Sequence, residues 1–206
     1  MTVRRQTPLN RLYVYLHLGE SECRGGGITK KLLELMKILG ITPSEVSDSL
    51  TRAEDNSVSF NNNFDKRLRL QKAVFLIKHK TKDFPYPFSL YIRGPYSKEL
   101  ARDYYGITDN SYTDDEKTLT DEARKMAEVI SDKDNLWLEI ASTIVMFSET
   151  HGEEKAVERT KEFKEDVLLA NNKTTDYVNS VYEDIKTIPF PIFNPLSDRC
   201  HIYPMM

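Results

Sequence analysis

The stretch that most limits how this chain can fold runs from Asp65 to Tyr105, DKRLRLQKAVFLIKHKTKDFPYPFSLYIRGPYSKELARDYY. Leu70, Ala73, Val74 and Ile77 recur at helical spacing, and Leu68 and Phe75 add a second apolar side. A helix apolar on two sides must be covered on both, so the pattern predicts one sandwiched between other elements. Pro85 and Pro87 bias the residues before them away from helix and fix an extended connector. Phe88, Leu90 and Ile92 then alternate with Ser89, Tyr91 and Arg93, the period of a strand with one buried face. Gly94-Pro95 is expected to turn the chain, Ser97 to cap a helix from Lys98 to Tyr105, and Gly106 to end it.

The remaining segments read as approach and cover. Leu12 to Leu16 has strand character before Gly25-Gly26-Gly27, which reads as a hinge; an anion cradle there is disfavoured because no P-loop or dinucleotide spacing surrounds it. Ile28 to Leu39 has helical spacing and Gly40 stands at its stop. Thr42-Pro43-Ser44-Glu45 is a capping box that starts a second short helix reaching about Arg52. Glu54 to Asn63 is polar and reads as a loop. After Gly106 the pattern predicts a hairpin with its tip near Asp114-Asp115, then a helix capped by Thr120 with Ala123, Met126, Ala127 and Ile130 inward. The last third predicts three helices. Leu136 to Phe147 is apolar nearly all round, and Glu153 to Leu169 turns Ala156, Thr160, Phe163 and Val167 inward. The last helix carries Val178, Val181, Tyr182 and Ile185.

These readings divide the chain into an extension over 1–60 with one or two helices, a helix-rich core over 61–188, and a proline-rich extended tail over 189–206. The tail is expected to lie across a groove of its own body or of a second copy, since bulky apolar groups are seldom left wet.

Charge and residue usage exclude several functions. A net charge of −3 gives no global attraction to nucleic acid or to an anionic membrane. The Leu136 to Phe147 run is far short of the ~20 residues a membrane span needs. No charged-then-apolar leader is read at the N-terminus, and Cys23 and Cys200 have no metal or disulfide spacing, so a reducing cytoplasmic location is expected. His17, His79, His151 and His201 are scattered without metal-ligand spacing. Asp114-Asp115-Glu116 reads as a solvated tip rather than a cation site, and His79 among lysines has no visible nucleophile beside it.

The cations of the Asp65 helix do not wind into one stripe, and the acidic hairpin has the wrong sign for a DNA wing. Pairing with the protein's own acids is the preferred reading.

Arg69-Leu70-Gln71-Lys72, followed by Phe88 to Ser97 and Glu99-Leu100, resembles the YwgA-like family of bacterial and archaeal proteins. More distantly it resembles the Panacea, or SocA-like antitoxin, domain. The later WLEIASTIVMF and EEKAVERTKEFK segments extend the likeness over about 64–188, leaving out the first 60 residues and the tail. The resemblance implies a helix-rich domain with a small sheet, no known enzymatic activity and, in the Panacea branch, neutralisation of a toxin or its delivery to a protease.

The expected fold is therefore α+β and helix-rich, a winged-helix-like core with a small sheet or hairpin covered by a C-terminal three-helix layer. The expected function is a non-enzymatic protein-binding or adaptor module of antitoxin-like kind. A winged-helix nucleic-acid binder is the alternative, and an enzyme whose site the sequence hides is the third reading. Partner-contact candidates are Arg93, Tyr96, Ser97 and Lys98 around the glycine-proline segment, with Arg69 and Lys72 from the basic helix. The same motif has a structural reading, in which Gly94 takes a conformation other residues resist and Gln71 and Tyr96 tie helix to loop. No cofactor and no metal is assigned. An unidentified protein is the expected partner, with nucleic acid disfavoured, no membrane, and homodimerisation through the tail as a further reading.

Overall fold

A computed structural model describes residues 26–47, 57–107 and 119–188. Around one long buried helix stand α1 (Gly26–Ile38), α2 (Pro43–Ser47), α3 (Ser57–Lys80), a hairpin of β1 (Ser89–Tyr91) and β2 (Gly94–Tyr96), α4 (Lys98–Tyr105) and α5 (Asp121–Ser131). The long helix is α6 (Asn135–His151), followed by α7 (Glu153–Phe163), α8 (Glu165–Ala170) and α9 (Asp176–Thr187). The chain is helix-rich with one small antiparallel sheet.

α6 is the centre because its sequence leaves no polar side. Trp137 to Val145 are all buried, and α3, α7, α9 and β2 pack around them. Asp134 caps its start by accepting from Trp137 N at 2.6 Å, and Gly152, at φ +77°, ends it. The sandwiched helix is found as expected: Leu70 to Ile77 of α3 are buried without a break, between α6 on one side and α2 and α5 on the other.

Local caps also fall where the residues place them. Thr42 N donates to Glu45 Oε2 at 2.8 Å, closing the capping box. Ser97 Oγ accepts from Leu100 N, and Thr120 Oγ1 from Ala123 N. Between them Asp83, at the end of α3, collects Lys31 of α1 at 2.5 Å and both the hydroxyl and the amide of Thr120. Glu34 of α1 takes Arg124 and the Leu119 amide, so α1 and α5 are joined by carboxylates with filled lone pairs.

Four expectations are corrected. The strand is not buried: Ser89, Leu90 and Tyr91 are exposed, because the hairpin meets the core through β2 and nothing described covers β1. The turn is Ile92-Arg93, with Tyr91 facing Gly94 across it, so Gly94-Pro95 is strand and not turn. Residues 57–63, read as loop, begin α3, since the low helix propensity of Ser and Asn is only a weak preference. Glu153 to Leu169 is two helices, broken at Lys164 (φ −109°, ψ 8°), whose ammonium turns into the core, while Phe163, expected inward, is partly exposed.

Gly26 and Gly27, read within a hinge, belong to α1. The predicted hairpin tip near Asp114, the strand-like segment over 12–16, Gly25, the stretch over 48–52 and the tail over 189–206 lie outside the described residues.

Candidate functional site

The hairpin is held from beneath by side chains of α3. Gln71 makes a two-way bond with the Ser97 backbone: Nε2 donates to Ser97 O and Oε1 accepts from Ser97 N, both at 2.9 Å. One turn of amide chemistry thus fixes the exit of β2 and the start of α4 together. Beside it, Lys72 Nζ donates to Pro95 O at 2.7 Å. Lys72 is 2% exposed and forms no ion pair among the described residues.

Gly94 explains why this approach is so close. Its φ of +89° lies in the region that disfavours L side chains. A β-carbon there would stand 2.5 Å from Thr143 Oγ1 and 3.5 Å from Lys72 Nζ. The glycine therefore serves contact between β2 and α6 and not a chain reversal. Thr143 Oγ1 donates back to Glu139 O at 2.7 Å, so the hydroxyl is spent within its own helix.

Below this contact lies one fully buried carboxylate with two cations. Glu139 Oε2 accepts from Arg93 Nε at 2.8 Å and pairs with its Nη2 at 2.7 Å, while Oε1 accepts from Lys164 Nζ at 2.8 Å. Glu139 and Lys164 have no solvent exposure. A buried carboxylate survives only when both oxygens are occupied, which this arrangement achieves. Burial, and then the Lys164 ammonium, lower the Lys72 pKa to about 7 against the pull of Glu139. Burial likewise lowers Lys164, with Glu139 opposing. The cluster is electrostatic hardware: one carboxylate binds the hairpin turn to the α7–α8 junction.

Among the described residues, nothing covers β1 and the turn that follows it. Leu90, Tyr91 and Ile92 are 44%, 43% and 56% exposed. Tyr91 leans on Tyr96 at 5.6 Å between ring centroids. The Arg93 guanidinium, beyond its bonds to Glu139, lies 5.8 Å from the Phe64 ring, and that of Arg67 lies 5.9 Å from Tyr105. Tyr104, buried beneath them, has its hydroxyl pKa raised by burial and by Tyr105 and Tyr96, with Gln71 and Arg67 acting the other way. These rings and guanidiniums therefore form one neighbourhood at the start of α3, the hairpin and the end of α4.

The sequence candidates separate accordingly. Arg93 and Tyr96 border the exposed face. Ser97 is a buried cap, Lys72 a buried support, and Lys98 an exposed residue of the first turn of α4. Arg69 is a clamp: it donates to Ile130 O, Ser131 O and Lys133 O, at 3.3, 2.5 and 2.6 Å, at the end of α5. The basic helix spends further charge on its own protein, Lys66 on Gly40 O, Lys78 on Tyr86 O and His79 on Glu149. Its preferred acceptors are carbonyls more than the acids expected.

Sequence reasoning missed Glu139 and Lys164. Both leave a trace: a single carboxylate within WLEIASTIVMF has to be paired, and the spacing Ala156, Thr160, Lys164, Leu168 puts the lysine on the inward stripe. Among the described residues no group of three His, Cys, Asp or Glu is placed to hold a metal ion, and no helix is long and apolar enough to cross a membrane. No protein-family model, curated protein or solved structure matches this chain.

Proposed function

We propose that this chain is a protein-binding module of the adaptor or antitoxin-like kind, as its resemblance to the YwgA-like and Panacea domains implies, and that it meets its partner through the hairpin. The observation that carries the reading is the run Leu90-Tyr91-Ile92, apolar, consecutive and exposed, on an element rigidly supported from below. Interfaces concentrate their energy in tyrosine and arginine anchors amid apolar contacts, and Tyr91, Tyr105, Arg67 and Arg93 are of that composition. In this reading α3, the hairpin, α4 and α5 make up a winged-helix-like core, the helices from α6 onward cover it, and the protein works in the cytoplasm.

Nucleic acid is the less favoured partner. Duplex binding needs cations presented to phosphates, whereas Arg69, Lys72 and Lys78 are committed to backbone carbonyls of their own chain. Homodimerisation through residues 189–206 remains part of the proposal, and sedimentation of the chain with and without those residues tests it.

The deciding experiment places a photo-crosslinking amino acid at Tyr91 in the native host. The expected result is a discrete protein adduct that disappears when Ile92→Asp is added. Absence of any adduct, together with salt-sensitive retardation of DNA by the purified chain, would replace this reading with the nucleic-acid one.

A further inference from the structure

Three basic side chains share one carboxylate where the hairpin meets α6. Glu139 and Thr143 stand one turn apart on the same face of that helix. Thr143 Oγ1 and Lys72 Nζ both approach Gly94, while Glu139 holds Arg93 and Lys164. Lys72 is buried, and its hydrogen-bond acceptor is the neutral Pro95 carbonyl. With a neutral Lys72 the cluster carries one positive charge in excess, and a proton on Lys72 makes it two. Burial, then Lys164, with Arg93 adding to it and Glu139 opposing, brings the Lys72 pKa to about 7, so near neutral pH the amine is divided between both forms.

Of the three cations, Arg93 has the way out. Its side chain is 42% exposed, whereas that of Lys164 has no exposure. It belongs to the two-residue turn between Tyr91 and Gly94, beside the exposed Ile92. β2 has ties that do not pass through Arg93, from Lys72 to Pro95 O and from Gln71 to both backbone groups of Ser97. Departure of Arg93 from a protonated cluster returns it to a single excess charge, and Glu139 keeps Lys164 together with the field of the charged Lys72.

We propose that the Ile92-Arg93 turn is a proton-gated latch, in which a proton taken up by Lys72 Nζ releases Arg93 from Glu139 and frees the turn while β2 and the start of α4 stay in place. The device goes beyond the protein-binding reading and stands whether or not the hairpin meets a protein. Loss of Arg93 removes one charge that opposes the Lys72 proton, so the released form binds that proton more tightly. The released fraction therefore grows as pH falls from 10.5 and levels off below about 7.

The charges acting on Lys72 are Glu139 from α6, Lys164 from the α7–α8 junction and Arg93 from the hairpin. Tyr96 of β2 and Tyr104 of α4 are phenols of the adjoining elements, and burial raises Tyr104. Arg69, on the preceding turn of α3, is spent on carbonyls at the end of α5, and among the described residues no charge of α2 or α5 acts on Lys72. His79 lies about two turns further along α3, paired with Glu149 of α6, and is the side chain to control for.

The test is fluorine NMR of the full chain carrying a trifluoromethyl-phenylalanine at the exposed position 92. Between about pH 9.5 and about pH 7 the ratio of released to latched signal should rise ~10-fold for each pKa unit by which Lys72 differs between the two forms. Far-UV circular dichroism should stay constant over the same range. Lys72→Met should abolish the response and His79→Gln should keep it. Carbon-13 NMR of the Lys72 side chain, which does not depend on Lys72→Met folding, should show its pKa rising in Arg93→Gln, as reciprocity demands. A Lys72 pKa unmoved by Arg93→Gln, a label at 92 that ignores pH, or a response that His79→Gln removes and Lys72→Met leaves would each overturn the latch.

Discussion

Glu139 is the residue whose removal should be felt furthest. Glu139→Gln leaves the buried Lys164 ammonium without its counter-charge, and the expected loss is about 3–5 kcal/mol in urea unfolding. Pairing it with Lys164→Met should recover much of that, because both buried charges then vanish together. Arg93→Ala is for the same reason a poor probe of the exposed face, as it strips one of the two cations from the same carboxylate. Gly94→Ala meets two obstacles, a positive φ and Thr143 Oγ1 at 2.5 Å from the new methyl. It should cost about 1–3 kcal/mol in backbone strain plus the clash, and adding Thr143→Ala should return only the clash.

Protonation acts at the same scale. Lys72, with its pKa lowered to about 7, holds fewer protons folded than unfolded from about 7 up to 10.5, and Lys164, also lowered from 10.5, adds in the same direction below 10.5. Stability therefore rises with pH across that window, since the unfolded chain binds more protons there. Urea midpoints at pH 7 and pH 9 should differ in that direction, and Lys72→Met should flatten the difference.

Among the elements, the end of α5 is tied to α3 by the Arg69 side chain, in addition to the packing of their apolar faces. Arg69 satisfies carbonyls that a helix end otherwise leaves open. Arg69→Ala should destabilise by about 2–3 kcal/mol, as hydrogen bonds from a charged donor are the stronger kind. Hydrogen exchange should rise at Ser131 to Asn135 ahead of the rest of the molecule. Ser97→Ala, a lost N-cap, should cost about 1 kcal/mol and leave the hairpin register intact.

The hairpin also separates what local sequence can and cannot say. Alternation of Phe88, Leu90 and Ile92 with polar neighbours announces a strand with two unlike faces, but not whether anything lies over either one. Gly94-Pro95 carries the chemistry of a turn, and only the position of Thr143, far along the chain, shows that the glycine is there for clearance.

Across the whole molecule, what was readable is what short-range chemistry dictates. Caps at Thr42, Ser97, Thr120, the inward row of α5 and the all-round apolar character of α6 depend on neighbours within a turn or two. The charge cluster joins Arg93 to Glu139 across 46 positions and Glu139 to Lys164 across 25, and no local period records such pairs. Arg69 and Lys72 read from sequence as surface cations because a basic side chain is usually wet. Their inward turn follows from carbonyls at Lys133 and Pro95 that only the folded chain brings near.

The hairpin is anchored through Gly94, Pro95, Ser97 and Arg93, and among the described residues positions 90, 91 and 92 take no part in those bonds. Randomising those three codons should yield folded libraries at high frequency, and selection from them could redirect the chain to new targets without a redesigned scaffold. The same freedom would let relatives drift apart in what they recognise while keeping an unaltered interior.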